Sequence, residues 1–455
     1  MNKSLTDEDE DVLDSFGQQI LPIYTQICFG FAIVDAQLYT RILETLEDAL
    51  DKLYVQFPWL AGYVVNEGGT TSNSGVFKIN TRGQKPRLFV KDLRHDSSFT
   101  SMESLRLSGF PIDALDEDLV APRRTLIGAD DTSPPEVFLV QAALITGGLL
   151  LTFIGHHQAM DGIGQDQIIR QFSKACRNEE FTVEEQSVVN LTADNKIALL
   201  DTIDKLPPNL KYQIIDKQSF PSKSLSSSLP ASTWVSFSFS QASLDLLKTI
   251  ATNDTPAKFI STDDALSAFI WKSITLARLA HLPPATSSTF ARAVDVRHLL
   301  SISPLHPAFV QNMTYNTLTF QQLTEMPLGV LASHLRSKID PETSTLAHDT
   351  RALATFLSRT ADKSCVSFAA TMKGASDIFF SSWAKMRCYD YDFGDGLGMA
   401  EIVRRTRSKN LTEGLMYLMP RSPSGEIGLV ICLSEEDMLA LRKDGEFAKY
   451  AEYVG

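Results

Sequence analysis

Apolar residues recur in two distinct spacings along this chain. The densest stretch lies at 137–154, where Val137-Phe138-Leu139-Val140-Gln141-Ala142 and Leu149-Leu150-Leu151-Thr152-Phe153-Ile154 flank Gly147-Gly148. Short, nearly continuous apolar runs predict buried strands, and the glycine pair predicts a hairpin between them. The second strand delivers Gly155-His156-His157-Gln158-Ala159-Met160-Asp161-Gly162. After Gly162-Ile163-Gly164 a helical pattern runs through 165–175. Upstream, 26–31 reads as a strand. Leu38, Ile42, Leu46, Ala49, Leu50, Leu53 and Phe57 then recur at helical spacing, which predicts a helix over 37–57 with one core-facing stripe. Pro58 ends that helix and 57–65 turns the chain into another strand. A Gly/Thr/Ser/Asn cluster at 66–73 predicts a turn, with a partner strand at 76–79.

Residues 82–135 are loop-rich and end in the turn Asp130-Asp131-Thr132-Ser133-Pro134-Pro135. From 179 to 230 no repeat or heptad is found, and Pro207-Pro208 with the Ser/Lys/Leu-rich 222–230 reads as a connector. The earlier grammar then restarts. Val235-Ser236-Phe237-Ser238-Phe239 alternates as a half-buried strand, followed by a helix at 241–250 with Ser240 as its cap. Ser261-Thr262-Asp263-Asp264 opens a longer helix through Phe269, Trp271 and Leu276, which Pro283-Pro284 ends. A strand at 291–296 leads to Arg297. Helices are predicted at 323–338 and 345–356, and strands near 366–368, 414–418 and 427–432. This alternation with antiparallel hairpins predicts an α/β fold of mixed sheets flanked by helices. The expected division is 1–200, a connector at 201–230, and 231–455.

Length supports that division, since 455 residues exceed what one hydrophobic core usually holds. The composition, 44% hydrophobic and 21% charged, is that of an ordinary globular protein. A formal net charge of -13 argues against wrapping a nucleic-acid backbone, while leaving room for a small anionic ligand on a local patch. The opening residues are acidic and loose, with nothing resembling a signal peptide, and no apolar stretch is long enough to predict a membrane span. Five scattered cysteines without a C-x-x-C pair read as reduced thiols, which places the protein in the cytoplasm.

The candidate chemistry gathers at the end of the 149–154 strand. Neighbouring strand residues point to opposite faces, so only one of His156 and His157 can look into a given cavity. A neutral imidazole can take and return a proton near neutral pH, and His157 is the candidate base, with His156 packed behind it. Asp161 has three readings: it orients the imidazole, it caps the helix that Gly162 opens, or it pairs with Arg297 at the end of Val294-Asp295-Val296-Arg297. A metal site is disfavoured, because no H-E-x-x-H or cysteine set accompanies the histidines. No G-x-S-x-G elbow occurs, Gly162-Ile163-Gly164 lacks the third glycine of a dinucleotide fingerprint at Gln167, and there is no Walker loop. Tyr389-Asp390-Tyr391-Asp392-Phe393-Gly394-Asp395-Gly396 reads as a turn whose carboxylate caps backbone N–H groups and whose ring anchors the loop.

In order and spacing these residues resemble the BAHD superfamily of acyl-CoA-dependent acyltransferases, and within it the fungal branch of trichothecene 3-O-acetyltransferases. H-x-x-x-D-G stands as His157 to Gly162, and D-F-G-W-G as Asp392-Phe393-Gly394-Asp395-Gly396. Phe57-Pro58-Trp59-Leu60-Ala61-Gly62, Ser261 to Leu266 with Trp271, Val294 to Arg297 and Ser382-Trp383 extend the similarity over nearly the whole chain. The resemblance implies two chloramphenicol-acetyltransferase-like domains with the active-site channel between them. It implies His157 as general base, Asp161 paired with Arg297 beside Gly162, and Asp392, Phe393, Gly394 and Gly396 as a structural loop. Ser382, Trp383, Asn312 or backbone N–H groups would meet the oxyanion. The protein is expected to be a cytoplasmic monomer with no bound cofactor or metal, and the resemblance further implies acyl-CoA (acetyl-CoA) as co-substrate and a small hydrophobic alcohol as acceptor. The residues that hold CoA are not assigned by the resemblance. The chain departs from the family at Asp395, where a tryptophan is usual, and at Gln311-Asn312, where Gly-Asn is usual. An amine acceptor, a carrier-protein-dependent condensation enzyme sharing H-H-x-x-x-D-G, and a non-catalytic ligand-binding member stay open as alternatives.

Overall fold

The computed structural model describes residues 12–455 apart from 83–84, 98, 129–133, 188–196, 204–205 and 216–230. The acidic opening, most of the 130–135 turn and the 222–230 part of the expected connector therefore lie outside the described residues. In chain order the strands are β1 Tyr24–Ala32, β2 Tyr63–Glu67, β3 Val76–Asn80, β4 Phe89–Asp92, β5 Phe138–Ile145, β6 Gly148–His156, β7 Ser232–Phe239, β8 Ser287–Asp295, β9 Gln311–Thr319, β10 Ile378–Ser382, β11 Ile402–Arg404, β12 Leu415–Leu418, β13 Ile427–Ser434 and β14 Ala451–Tyr453.

The first sheet has the order β11-β1-β6-β5-β4. Its centre is the hairpin that the glycine pair predicts. Ile145 faces Gly148 across the turn, and Gly147 supplies the positive φ (75°) that closes it. Every residue of β5 and β6 is buried, because both sheet faces are covered. Leu151 and Phe153 meet one face, where the Leu38–Gln56 and Gly162–Cys176 helices lay Ile42, Leu46, Ile168 and Phe172 on the sheet. Leu150 points the other way, into Met102, Leu105, Phe110 and Leu115. Only β4 runs parallel to its neighbour, so the sheet is mixed.

The second sheet has the order β14-β7-β13-β12-β10-β8-β9, with β10 parallel to both of its neighbours. The Gln241–Asn253, Thr262–Arg278, Leu328–Ser337 and Glu435–Lys443 helices build its core around Phe237, Leu266, Trp271 and Phe290. Ser261 and Asp264 form a reciprocal capping box at the start of the long helix. Trp271, fully buried, satisfies its indole N–H on Ser288 Oγ at 2.9 Å.

Four expectations need correction. The 323–338 helix is two helices, Phe320–Glu325 and Leu328–Ser337, because Pro327 forces Met326 out of the helical region. No strand forms at 366–368; Val366 makes a single bridge to Ile214 within a turn. The strands β4, β9, β10, β11 and β14 are additional. Finally, the division at 200 and 231 does not separate the sheets. The chain crosses back after β10, so that β11 pairs with Cys28, Phe29 and Gly30 of β1 and Phe393 enters the first core. Among the described residues, no helix is long and apolar enough to cross a membrane.

Candidate active site

His156 and His157 end the central hairpin and face opposite ways. His156, in register with Tyr24, is buried against that ring at 5.4 Å, and its Nδ1 accepts the Gln158 N–H at 3.3 Å. Burial pushes its pKa down to about 3, so it stays neutral. His157 is anchored only through its backbone, whose N–H donates to Ile23 O at 2.9 Å. Its partly exposed ring stands edge-on to Phe309 at 5.0 Å. Nδ1 is buried and makes no hydrogen bond of good geometry. Burial lowers the His157 pKa, opposed by the Asp161 charge and by the backbone of His157 and Met160, while the Arg405 charge lowers it further. The ring is therefore neutral at neutral pH, with the basic form already in place.

Asp161 combines two of its three readings. Its Oδ1 accepts the Gly164 N–H at 2.8 Å, which caps the Gly162–Cys176 helix. The same carboxylate takes both Arg297 amino groups at 3.0 Å each, and the Val310 N–H at 2.7 Å. With four acceptor positions filled, it does not orient the imidazole. Arg297 is equally saturated, donating also to Asp295 at 2.8 Å and to the carbonyls of His306 and Ala308. Burial alone would lower the guanidinium pKa, yet Asp161 and Asp295 hold it above its usual value. Both side chains are nearly inaccessible, at 1% and 2% exposure, so the pair is a buried bidentate link between the halves.

Glycine makes that link possible. A Cβ on Gly164 would sit 1.8 Å from Pro307 O, so the 306–310 segment docks directly on the helix backbone. Sequence reasoning treats Gly164 only as a turn maker; nothing in the local pattern announces the contact. Gly162 likewise leaves space for Met386 Cε and Trp383 Nε1, which would lie 2.9 and 3.5 Å from an added Cβ.

A cleft of about 620 Å³ opens beside this link, walled by Asp161 and Gly162 on one side and by Asp263, Arg292, Gln311, Ser382, Trp383 and Lys385 on the other. His157 is not part of its lining; the cleft reaches the helix start that follows it. The candidate donors fare differently. Trp383 lies over Gly162, and among the described residues its indole N–H has no hydrogen-bond partner. The Ser382 hydroxyl is committed to Asp263, which in turn pairs with Arg292. Asn312 is a correction: its amide accepts from Gln213 (3.0 Å) and the Met313 N–H (2.7 Å) and donates to Thr350 (3.1 Å). Strand alternation on β9 turns Gln311 into the cleft and Asn312 away from it. Lys385, exposed and without an ion pair among the described residues, and Arg336 supply positive charge on this side, with the exposed His298 beside them.

The second motif lies elsewhere. Phe393 packs among Phe29, Phe31, Phe153 and Phe172 at centroid distances of 5.5, 5.2, 6.2 and 6.3 Å. Asp392 Oδ1 accepts the Gly394 N–H at 2.9 Å, and Phe393 N–H reaches Gly398 O. Gly394 and Gly396 take positive φ, and Asp395 points out to a salt bridge with Arg41 at 3.5 Å. The loop borders a separate polar cleft of about 690 Å³ whose cations, Arg41, Lys52 and Arg177, already have protein partners. Among the described residues no cluster of three His, Cys, Asp or Glu side chains could hold a metal.

A neutral histidine at a strand end, a saturated aspartate four residues on and a cleft beside two mixed sheets fit an acyltransferase of mixed-sheet α/β architecture. The family model of the trichothecene 3-O-acetyltransferase-like N-terminal domain matches residues 23–176. The chain is 47% identical to the O-acetyltransferase dmxR13 of Cryptosporiopsis sp. over 97% of each chain, and 46% identical to trichothecene 3-O-acetyltransferase TRI101 of Fusarium sporotrichioides, again over 97% of each. The crystal structure of F. graminearum TRI101 complexed with coenzyme A and deoxynivalenol matches at 41% identity with a TM-score of 0.93, covering 98% of this chain and 99% of that one. The chain belongs to the fungal BAHD-like family of acyl-CoA-dependent O-acyltransferases.

Proposed function

We propose that the enzyme moves an acetyl group from acetyl-CoA to a hydroxyl of a small hydrophobic metabolite in the cytoplasm, as a monomer, with His157 as general base. The observation that carries this reading is the neutral, partly exposed His157 ring, whose Nδ1 is unpartnered while every acceptor position of Asp161 is filled. His157 takes the hydroxyl proton as the alcohol oxygen attacks the thioester carbonyl. The new C–O bond gives a tetrahedral oxyanion, and the indole N–H of Trp383 is the donor suited to it. Collapse breaks the C–S bond, the thiolate leaves, and the imidazolium returns its proton to sulfur. Acyl-CoA enters along the cleft past Gly162, with Lys385, Arg336 and His298 for its phosphates; Asp161 and Arg297 hold the halves in place. Because the His157 pKa is lowered, the neutral base persists below the usual imidazole midpoint of about 6.5.

Deoxynivalenol, the ligand of the F. graminearum relative, is a suitable first acceptor. In a thiol-release assay with product masses, His157→Ala should lose about 10²–10⁴-fold in turnover while its melting temperature stays at the parental value. The parent rate should hold as pH falls to about 6.5 and drop only below it. Parental turnover in the variant, or thiol release without a mass gain in any hydroxylated or amine acceptor, would overturn the proposal.

A further inference from the structure

Four arginines are buried among the described residues: Arg278, Arg292, Arg297 and Arg405. Three have carboxylate partners. Arg278 meets Asp437 at 3.1 Å, Arg292 meets Asp264 at 2.8 Å, and Arg297 meets Asp161. Arg405 pairs with no carboxylate of the described residues. Its Nε is buried without a partner, and its one hydrogen bond, from Nη2 to Thr125 Oγ1, is stretched to 3.5 Å. Glu117, which shares Thr125 with it, takes its hydrogen bonds from Thr125, Gln26 and the Lys409 backbone instead. An uncompensated buried charge is expensive for a fold and calls for another explanation.

The surroundings of Arg405 supply one. It follows β11, and its neighbours are fixed on the first sheet, Thr406 by Gln26 and the Arg407 N–H by Leu115 O. The guanidinium then stacks on two rings of the second sheet, Tyr417 at 4.4 Å and Trp234 at 5.7 Å to the centroids. Tyr417 is half-buried, makes no hydrogen bond through its hydroxyl among the described residues, and packs on Trp383 at a centroid distance of 5.4 Å. Thr125 in turn lies next to the segment that anchors the base: its carbonyl accepts from Tyr24 N–H, and Ile23 O accepts from His157 N–H. The charge of Arg405 is also felt at the His157 ring. A braced cation with idle N–H groups thus stands near the base.

We infer that Arg405 reads the acceptor: its guanidinium, held by Tyr417 and Trp234, donates to an oxygen of the alcohol substrate other than the one His157 deprotonates. This rests on the acyl-transfer reading above. It defines the acceptor class as polyoxygenated alcohols, carrying a carbonyl, ether or second hydroxyl near the reacting one. Arg405 acts here as a binding and specificity residue, and a fork of N–H donors on a rigid support suits that use better than a flexible ammonium.

The test is Arg405→Lys, which keeps the charge and loses the fork, assayed with acetyl-CoA and deoxynivalenol. The KM for deoxynivalenol should rise about tenfold or more, with a smaller effect on kcat and none on the KM for acetyl-CoA. Tyr417→Leu, which removes the brace without touching Arg405, should raise the same KM and serves if the first variant does not fold. A parental KM for deoxynivalenol, or equal losses against acetyl-CoA, would overturn the inference. A parent enzyme that gives no acetylated product would instead sink the acyl-transfer reading itself.

Discussion

The turn at His157–Gly162 and the turn at Asp392–Gly396 are built from the same materials, an aspartate, a ring and glycines, and they are held in opposite ways. In the first, the carboxylate is buried and saturated from across the molecule, and the ring is left with an unpartnered nitrogen. In the second, the ring is buried among four phenylalanines, and the carboxylates either close their own turn or point to solvent, with Asp395 at 92% side-chain exposure. A distinctive motif is therefore no guide to chemistry by itself. The unpartnered atom is: the first turn presents a base, while the second fastens a length of chain to the neighbouring sheet.

This contrast can be challenged by substitution. The largest effect belongs to Arg297→Met, which leaves Asp161 buried with its charge unmatched. It should lower the unfolding free energy by about 3–5 kcal/mol in urea titrations, and a parental midpoint would show that the pair does not hold the halves. Phe393→Leu should come next, at about 1–2 kcal/mol from lost ring contacts and imperfect filling. Its KM and kcat should match the parent at temperatures below unfolding, and a selective fall in kcat would make the loop part of the chemistry. Asp395→Ala should be the mildest, with melting temperature and turnover both parental, since it removes one exposed partner of Arg41. A clear loss of activity there would give this position a role the structure does not assign.

Much of this was legible in the residues. The hairpin of β5 and β6, the first helix and the capped Thr262–Arg278 helix follow directly from apolar spacing and cap chemistry, and the ordered motifs carried the family. The strand β9 is hard to read because polar Asn312, Thr314 and Asn316 alternate with its buried Met313 and Tyr315, and Asn312 is held by Gln213 and Thr350 far away in sequence. Such a strand has only a weak hydrophobic signature. Three-residue β11 is too short to show a period at all, and Arg405, which depends on it, was missed with it. Asp161 was assigned its partner through the resemblance, but that it would cap the helix as well as pair is a fact of three-dimensional crowding. Gly164 was invisible for the same reason: only the approach of Pro307 shows why no larger residue fits.

The return of β11 to the first sheet has one more consequence. It works as a stitch across the seam, with Tyr389 and Phe393 sewn in beside it, so the molecule cannot open like a pair of jaws about one hinge. A fragment ending before residue 200 would carry the bare flank of β1, ready to pair with its own copies. Substrates must thread a passage whose width is set by side chains.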